Sequence, residues 1–315
     1  MSLNNKYPAR FSLKKIVVII VIVLLFGAGL FYVLRPRPVW YVEDTLASVW
    51  ARSLRQSAPP FTRIKTWSPK SGIPKGPGIC ITRTSPYNSG VGAGVICFKS
   101  LTETREENGA LLLALDPWLV FYKHSGNTVS YTRIAAPGEG TLILPGAEPD
   151  ALWAWTSQLL QQKMGIFADE QKQWDDRYTL IADDPRFQQN SKNCNWTEAL
   201  SFLLRDGNSW LYAPFSKVMD LPSYRSGLLT ARHFPVPQNW NQYGIQASLL
   251  WAIPTGAESK ALAAAEAWLK DPQIQSLIAG EFHWIAAHPQ GSPANPLYRD
   301  AQLAWLSSSV VWQKE

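Results

Sequence analysis

Apolar and polar positions fall into blocks along this chain, and the blocks predict its elements. Ile16 to Leu34 is an apolar run without a charged residue. At about 1.5 Å per helical residue it is long enough to cross a hydrocarbon core of roughly 30 Å. Val39 to Val42 predicts a strand, Thr45 to Ser57 an amphipathic helix capped by Asp44 or Thr45, and Phe61 to Trp67 a second strand. Ser68 to Gly78 carries three Pro and three Gly and reads as a loop. Strand, helix and strand in that order suit an α/β lobe. Ala110 to Phe121 is apolar apart from Asp116-Pro117. That pair predicts a break into two elements, because proline removes a ladder donor. Thr141 to Leu144 is a short strand, and Glu148-Pro-Asp150 opens a helix through about Gln162, with acidic residues at its positive end.

Function is most legible from Gln246 to Pro289. Gln246 to Ile253 is an apolar run of strand length stopped by Pro254-Thr-Gly256, and Ser259 is placed to cap a helix over Lys260 to Lys270. Asp271-Pro272 ends that helix, a second short one covers Gln273 to Ala279, and Gly280 caps it. Glu281 to Pro289 then reads as an aromatic loop whose rings cannot all be buried by so short a segment.

These residues resemble the C-terminal half of type 1 extracellular solute-binding proteins, the ligand receptors of ABC importers. The matching residues are Ile253-Pro-Thr-Gly256, Ser259-Lys260, Ala264 to Leu269, Asp271-Pro-Gln-Ile-Gln275, Gly280 and Phe282 to Pro289. Upstream, Ala199 to Phe215 is similar to that family's helix, glycine turn and strand ending in a small-Pro-aromatic tip. The resemblance covers roughly residues 196 to 290. It implies a two-lobed α/β fold like that of periplasmic binding proteins, preceded here by one transmembrane helix, and a solute held in the cleft. It also implies a Tyr facing the cleft after a strand, for which Tyr122 is the candidate, and a ligand-touching ring at Phe215. Trp284, beyond the Gly280 cap, is exposed by local sequence, as is Phe215.

Ser85 to Gly94 is rich in small and polar residues, but its glycines do not make a dinucleotide fingerprint, since Val95 to Phe98 reads as a strand where a helix would have to open. It is a hairpin-like loop, or one that presents Tyr87 and Asn88 to a cleft. Ligand-binding candidates are therefore Tyr87, Asn88, Tyr122, Phe215 and Trp284.

Charge and chemistry narrow the picture. The net charge is +6, yet residues 1–37 hold six basic residues and no acidic one, which leaves 24 basic against 24 acidic in the remainder. A neutral remainder speaks against nucleic acid as a partner. Lys6, Arg10, Lys14 and Lys15 precede the apolar run and Arg35 and Arg37 follow it, which together with the resemblance favours the amino terminus inside. The run exceeds the about 7–15 residues of a signal-peptide core and no A-x-A site follows, so retention as an anchor is expected. No Cys directly after the span offers a lipid attachment point, and a retained helix replaces that anchor. Cys80 and Cys97 lie in two apolar runs where a disulfide is possible, and Cys194 is isolated. His283 and His288 are five apart, off the spacing of a helical metal pair, so no metal or cofactor is expected. Asp175-Asp176 sit beside aromatics, but neighbours on a helix do not share one face, and a solvated surface is the better reading than a glycosidase pair. No nucleophile elbow or zinc-protease motif occurs, and an enzyme is not expected.

The expected organisation is a cytoplasmic tail (1–15), an anchor (16–34) in the cell (inner) membrane, and a solute-binding-like domain (35–315) in the periplasm or outside the cell. The ligand expected is a carbohydrate or similar small polar solute, because sugar rings suit Trp and Tyr faces while their hydroxyls need polar side chains. An ABC permease is the expected partner. The alternative is a membrane-anchored interaction or scaffold protein with a degenerate solute-binding fold.

Overall fold

The computed structural model describes, with short interruptions, residues 13–34, 39–46, 62–83, 110–123, 141–154, 194–233, 244–256, 260–287, 295–306 and 310–312. The chain divides into two units, Met1–Arg37 and Pro38–Glu315. The first holds helix α1 (Leu13–Leu34). Its side chains are described over 17–27 alone, where the large apolar ones from Val17 to Phe26 are exposed. Among the described residues no helix is long and apolar enough to cross a membrane.

The second unit is mixed α/β around a curled sheet. Among the described residues its strands are β1 (Val39–Glu43), β2 (Arg63–Trp67), β3 (Gly78–Thr82), β4 (Leu111–Lys123), β5 (Thr141–Ile143), β6 (Ser209–Pro214), β7 (Leu229–Arg232), β8 (Gly244–Thr255), β9 (Ile285–Ala286) and β10 (Val310–Trp312). They run in the order β2-β1-β3-β8-β4-β6-β5, with β10 on β8 and β7 and β9 on β4. β1 pairs parallel with both β2 and β3, whereas β8 is antiparallel to β3 and to β4. Gly78 is demanded by this packing: a Cβ there would run into the Val39 carbonyl oxygen.

Two long strands connect the parts of the sheet. β4 pairs with β8 from Leu111 to Pro117 and then with β6 from Trp118 to Tyr122. The expected break at Asp116-Pro117 is therefore corrected: β4 is continuous. Pro117 sits where one partner is handed over to the next, so the donor it lacks falls at a seam in the ladder.

Alternate residues of the long strands feed two hydrophobic clusters on opposite faces. Leu111, Leu113, Leu250 and Ala252 join Trp40, Val42, Ile79, Ile81 and Trp284. Leu112, Leu115, Leu249 and Trp251 join Leu211, Phe215, Val218 and Trp305. Period-2 alternation buries both faces, which is why β4 reads as a nearly unbroken apolar run.

Helices cover these faces: α2 (Trp196–Arg205), α3 (Phe215–Met219), α4 (Ser223–Ser226), α5 (Lys260–Leu269), α6 (Pro272–Glu281) and α7 (Pro296–Leu306). α2 begins with a reciprocal capping box in which Asn195 Oδ1 accepts from Glu198 N and the Glu198 carboxylate accepts from Asn195 N, at 3.0 and 3.1 Å. α6 starts at Pro272, one residue before the expected Gln273, and is capped by Asp271, whose carboxylate accepts from Gln273 N at 2.8 Å. Its end is corrected. The helix passes through Gly280 to Glu281, and the residue with positive φ is His283, at 55°. The aromatic loop is corrected too, since Ile285–Ala286 forms β9 on β4 and residues 284–287 are buried. Cys80 is a free buried thiol, so the possible Cys80 bridge is not made; Cys97 lies outside the described residues.

Candidate functional site

The site follows from strand lengths. Trp251 of β8 lies between Thr82 of β3 and Leu112 of β4, and β3 stops at Thr82. β8 continues past that point toward Gly244, and β4 continues to Lys123, at about 3.3 Å per residue. The carboxyl ends of the parallel strands β1 and β3 therefore stop at a ledge past which β4 and β8 run on. In open α/β sheets the crevice beyond the carboxyl ends of the strands is where ligands sit.

A linked polar group occupies that ledge. Glu43, the last residue of β1, is 5% exposed. Its Oε1 accepts from Thr45 Oγ1 at 2.6 Å, and its Oε2 accepts from Thr82 Oγ1 at 2.7 Å and from Arg83 N at 2.8 Å. The Arg83 guanidinium lies 3.5 Å from Oε1 and donates to Thr45 Oγ1 at 2.9 Å. Burial pushes the Glu43 carboxyl up, but the bonds from Thr45, Arg83 N and Thr82 and the Arg83 charge outweigh it and hold the group below its ordinary value. Asp44 beside it is exposed.

A second buried carboxylate marks the seam in β4. Asp116, 6% exposed, accepts from Ser216 N at 2.9 Å and from Ser216 Oγ at 2.6 Å, which caps the first turn of α3 from 100 residues away. Burial pushes its carboxyl up to about 7 against those two bonds, the Asp220 charge adds to the rise, and Lys217 opposes it. Asp220 in turn lies 3.1 Å from His283 Nδ1.

The expected ligand residues fare differently. Tyr87 and Asn88 lie outside the described residues. Tyr122 is half-buried near the end of β4, opposite Trp210 and Thr230. Phe215 is fully buried and packs edge-on against Tyr298 at 5.6 Å, while Trp284 is 7% exposed beside Phe282. Their expected exposure is corrected: Phe215 opens a helix that turns inward onto β4, and β9 pulls Trp284 under the sheet. They belong to different clusters and do not face one another. Sequence reading missed Glu43, Thr82 and Arg83 as a group. The available signal was an acid closing an apolar strand directly before a helix cap.

Comparison with known proteins adds the fold. No family model matches the sequence, and no curated protein matches it. The apo form of RafE from Streptococcus pneumoniae superposes with a TM-score of 0.54 at 12% identity, over 88% of this chain and 89% of that one. A cyclic α-maltosyl-1,6-maltose binding protein from Arthrobacter globiformis gives 0.51 at 12%, over 88% of each chain. A sugar transporter of Bacillus licheniformis in complex with stachyose gives 0.50 at 9%, again over 88% of each. The fold is that of solute-binding proteins. At such identities the likeness is one of architecture, and these neighbours are binding and transport proteins.

Proposed function

We propose that this chain is a membrane-anchored, extracytoplasmic solute-binding protein that holds a carbohydrate or similar small polar solute for an ABC importer. The observation that carries the reading is the hydrogen-bonded ledge at the carboxyl ends of β1 and β3, set in a fold shared with a maltosyl-maltose binding protein and a stachyose-bound transporter. Ile16 to Leu34 is its single-pass anchor, with the tail 1–15 in the cytoplasm and the domain 35–315 in the periplasm or outside the cell, where it meets a permease. It does no bond chemistry in this reading, since Glu43 and Asp116 are each buried and committed to their own hydrogen bonds.

A second reading, a scaffold protein that keeps the fold without a solute, is favoured by the burial of Phe215 and Trp284. Titrating the purified full chain in detergent with raffinose, stachyose and cyclic maltosyl-maltose separates the two. Solute binding predicts a saturable change in Trp fluorescence and a raised melting temperature; a broad sugar panel without effect hands the case to the scaffold. Amino-terminal sequencing of membrane-purified protein checks the anchor, and a mature chain starting near Arg35 overturns it.

A further inference from the structure

We propose that Glu43 is a positioning residue, which holds Arg83 and Thr45 at the ledge as the hydrogen-bonding floor of a subsite for a neutral polyhydroxyl solute. This rests on the solute-binding reading and goes further, by naming residues and a solute charge class.

Glu43 does not itself face solvent: it is 5% exposed and both its oxygens accept hydrogen bonds. What those bonds do is orient Arg83 twice. The Arg83 backbone N–H is held at 2.8 Å, which fixes the chain as it leaves β3. The guanidinium is held through a hydroxyl relay. Thr45 Oγ1 has one proton and donates it to Glu43 at 2.6 Å, so toward Arg83 it can only accept, at 2.9 Å. Arg83 stays at the surface, with its side chain 44% exposed against 6% for Glu43. A long side chain fixed before the ligand arrives loses less freedom when it binds, which is the general advantage of a supported site.

The charges at the ledge select the solute. Among the described residues there, Glu43 and Asp44 stand against one guanidinium, so the sum is negative. A uronate or sugar phosphate meets net repulsion. A neutral polyol does not, and one of its hydroxyls can accept from Arg83.

The test compares the full chain in detergent with its Glu43→Gln and Arg83→Lys variants, using stachyose and raffinose as neutral probes and galacturonate as the acidic one. Both variants are expected to bind the neutral sugars about tenfold more weakly, equivalent to ~1.4 kcal/mol. Wild-type affinity should also fall in acid as Glu43 takes up a proton below the ordinary carboxylate range, while Glu43→Gln shows no such fall. A merely structural Glu43 would shift the melting temperature without that difference in pH profile. Should Glu43→Gln fail to fold, Arg83→Lys carries the test, since it alters an exposed side chain. A neutral sugar bound equally by wild type and Arg83→Lys overturns the positioning role and leaves the solute-binding reading intact. Galacturonate bound in preference to the neutral sugars overturns the charge argument. No binding of any sugar by the wild type overturns the solute-binding reading, and this inference falls with it.

Discussion

Two carboxylates of this protein are almost equally shut off from solvent contact, yet they are driven in opposite directions. Glu43 ends β1 at the ledge and is held below its ordinary range, whereas Asp116 at the seam of β4 is pushed up to about 7. Burial raises both. The difference lies in depth and in what answers the burial: Asp116 is packed more deeply, with two donors from one serine and a second carboxylate nearby, while Glu43 has donors from three residues and a guanidinium 3.5 Å away. Depth of burial alone does not set the protonation of a buried acid. One region is an ionised support built to hold an exposed arginine, and the other is a tie between a strand and a helix that takes up a proton near neutral pH.

The two regions border different clusters, and the most forceful way to break the comparison is to excavate each. Trp284→Ala removes a ring from the cluster beneath β1 and β3, and Phe215→Ala one from the cluster behind Asp116. Each should cost about 3–5 kcal/mol in denaturant unfolding. A variant that keeps wild-type stability but loses sugar binding would restore its ring to the ligand surface and reverse the correction made above.

Next in size is the pH dependence of the Asp116 tie. Its folded pKa of about 7 exceeds its ordinary 3.8, so the folded state binds more protons than the unfolded state between those values. Stability should therefore be greatest below the ordinary carboxylate pKa and fall as pH rises toward 7, levelling off above it, by on the order of 4 kcal/mol in all. Asp116→Asn keeps an acceptor for Ser216 N and offers an amide donor to Ser216 Oγ, so it should fold while losing that slope. Glu43 has the opposite sign, its contribution being present above the ordinary carboxylate pKa and lost as pH falls through its lowered value. Unfolding free energies of wild type and both amide variants from pH 4 to 8 check this, and identical slopes in wild type and Asp116→Asn would refute it.

Much of the fold was legible because it follows local rules. The places of β1 and β2 and the start of α6 come from apolar runs and a proline, all readable over a few residues. What was illegible depends on partners far along the chain. Pro117 looks like a strand breaker until β6 arrives about a hundred residues later to take over the ladder, and Trp284 looks exposed until β9 is seen to pair with β4. The ledge was hidden for the same reason. Glu43 and Arg83 are 40 residues apart, and only the parallel register of β1 and β3, with Tyr41 opposite Cys80 and Val42 opposite Ile81, brings their ends together.

The smallest expected effect concerns the charge of Asp220. Part of the upward push on Asp116 comes from the charge of Asp220, one turn further along α3 from Ser216, while Lys217 pulls the other way. Replacing Asp220 by Asn removes the adverse charge without touching the Ser216 bonds. The midpoint of Asp116 should then move down toward its ordinary value, and less so as salt is added, because Asp220 is exposed and its field is screened. The side chain of His283, 3.1 Å from Asp220, loses that carboxylate as a partner in this variant. The pair is exposed on both sides, and such pairs contribute at most about 1 kcal/mol, so the melting temperature should barely change. Carboxyl-carbon NMR titration of Asp116 in wild type and Asp220→Asn reads the shift directly. An unmoved midpoint at low salt would mean that desolvation outweighs the Asp220 charge at Asp116, and the contrast with Glu43 would then rest on depth and on the donors that answer it.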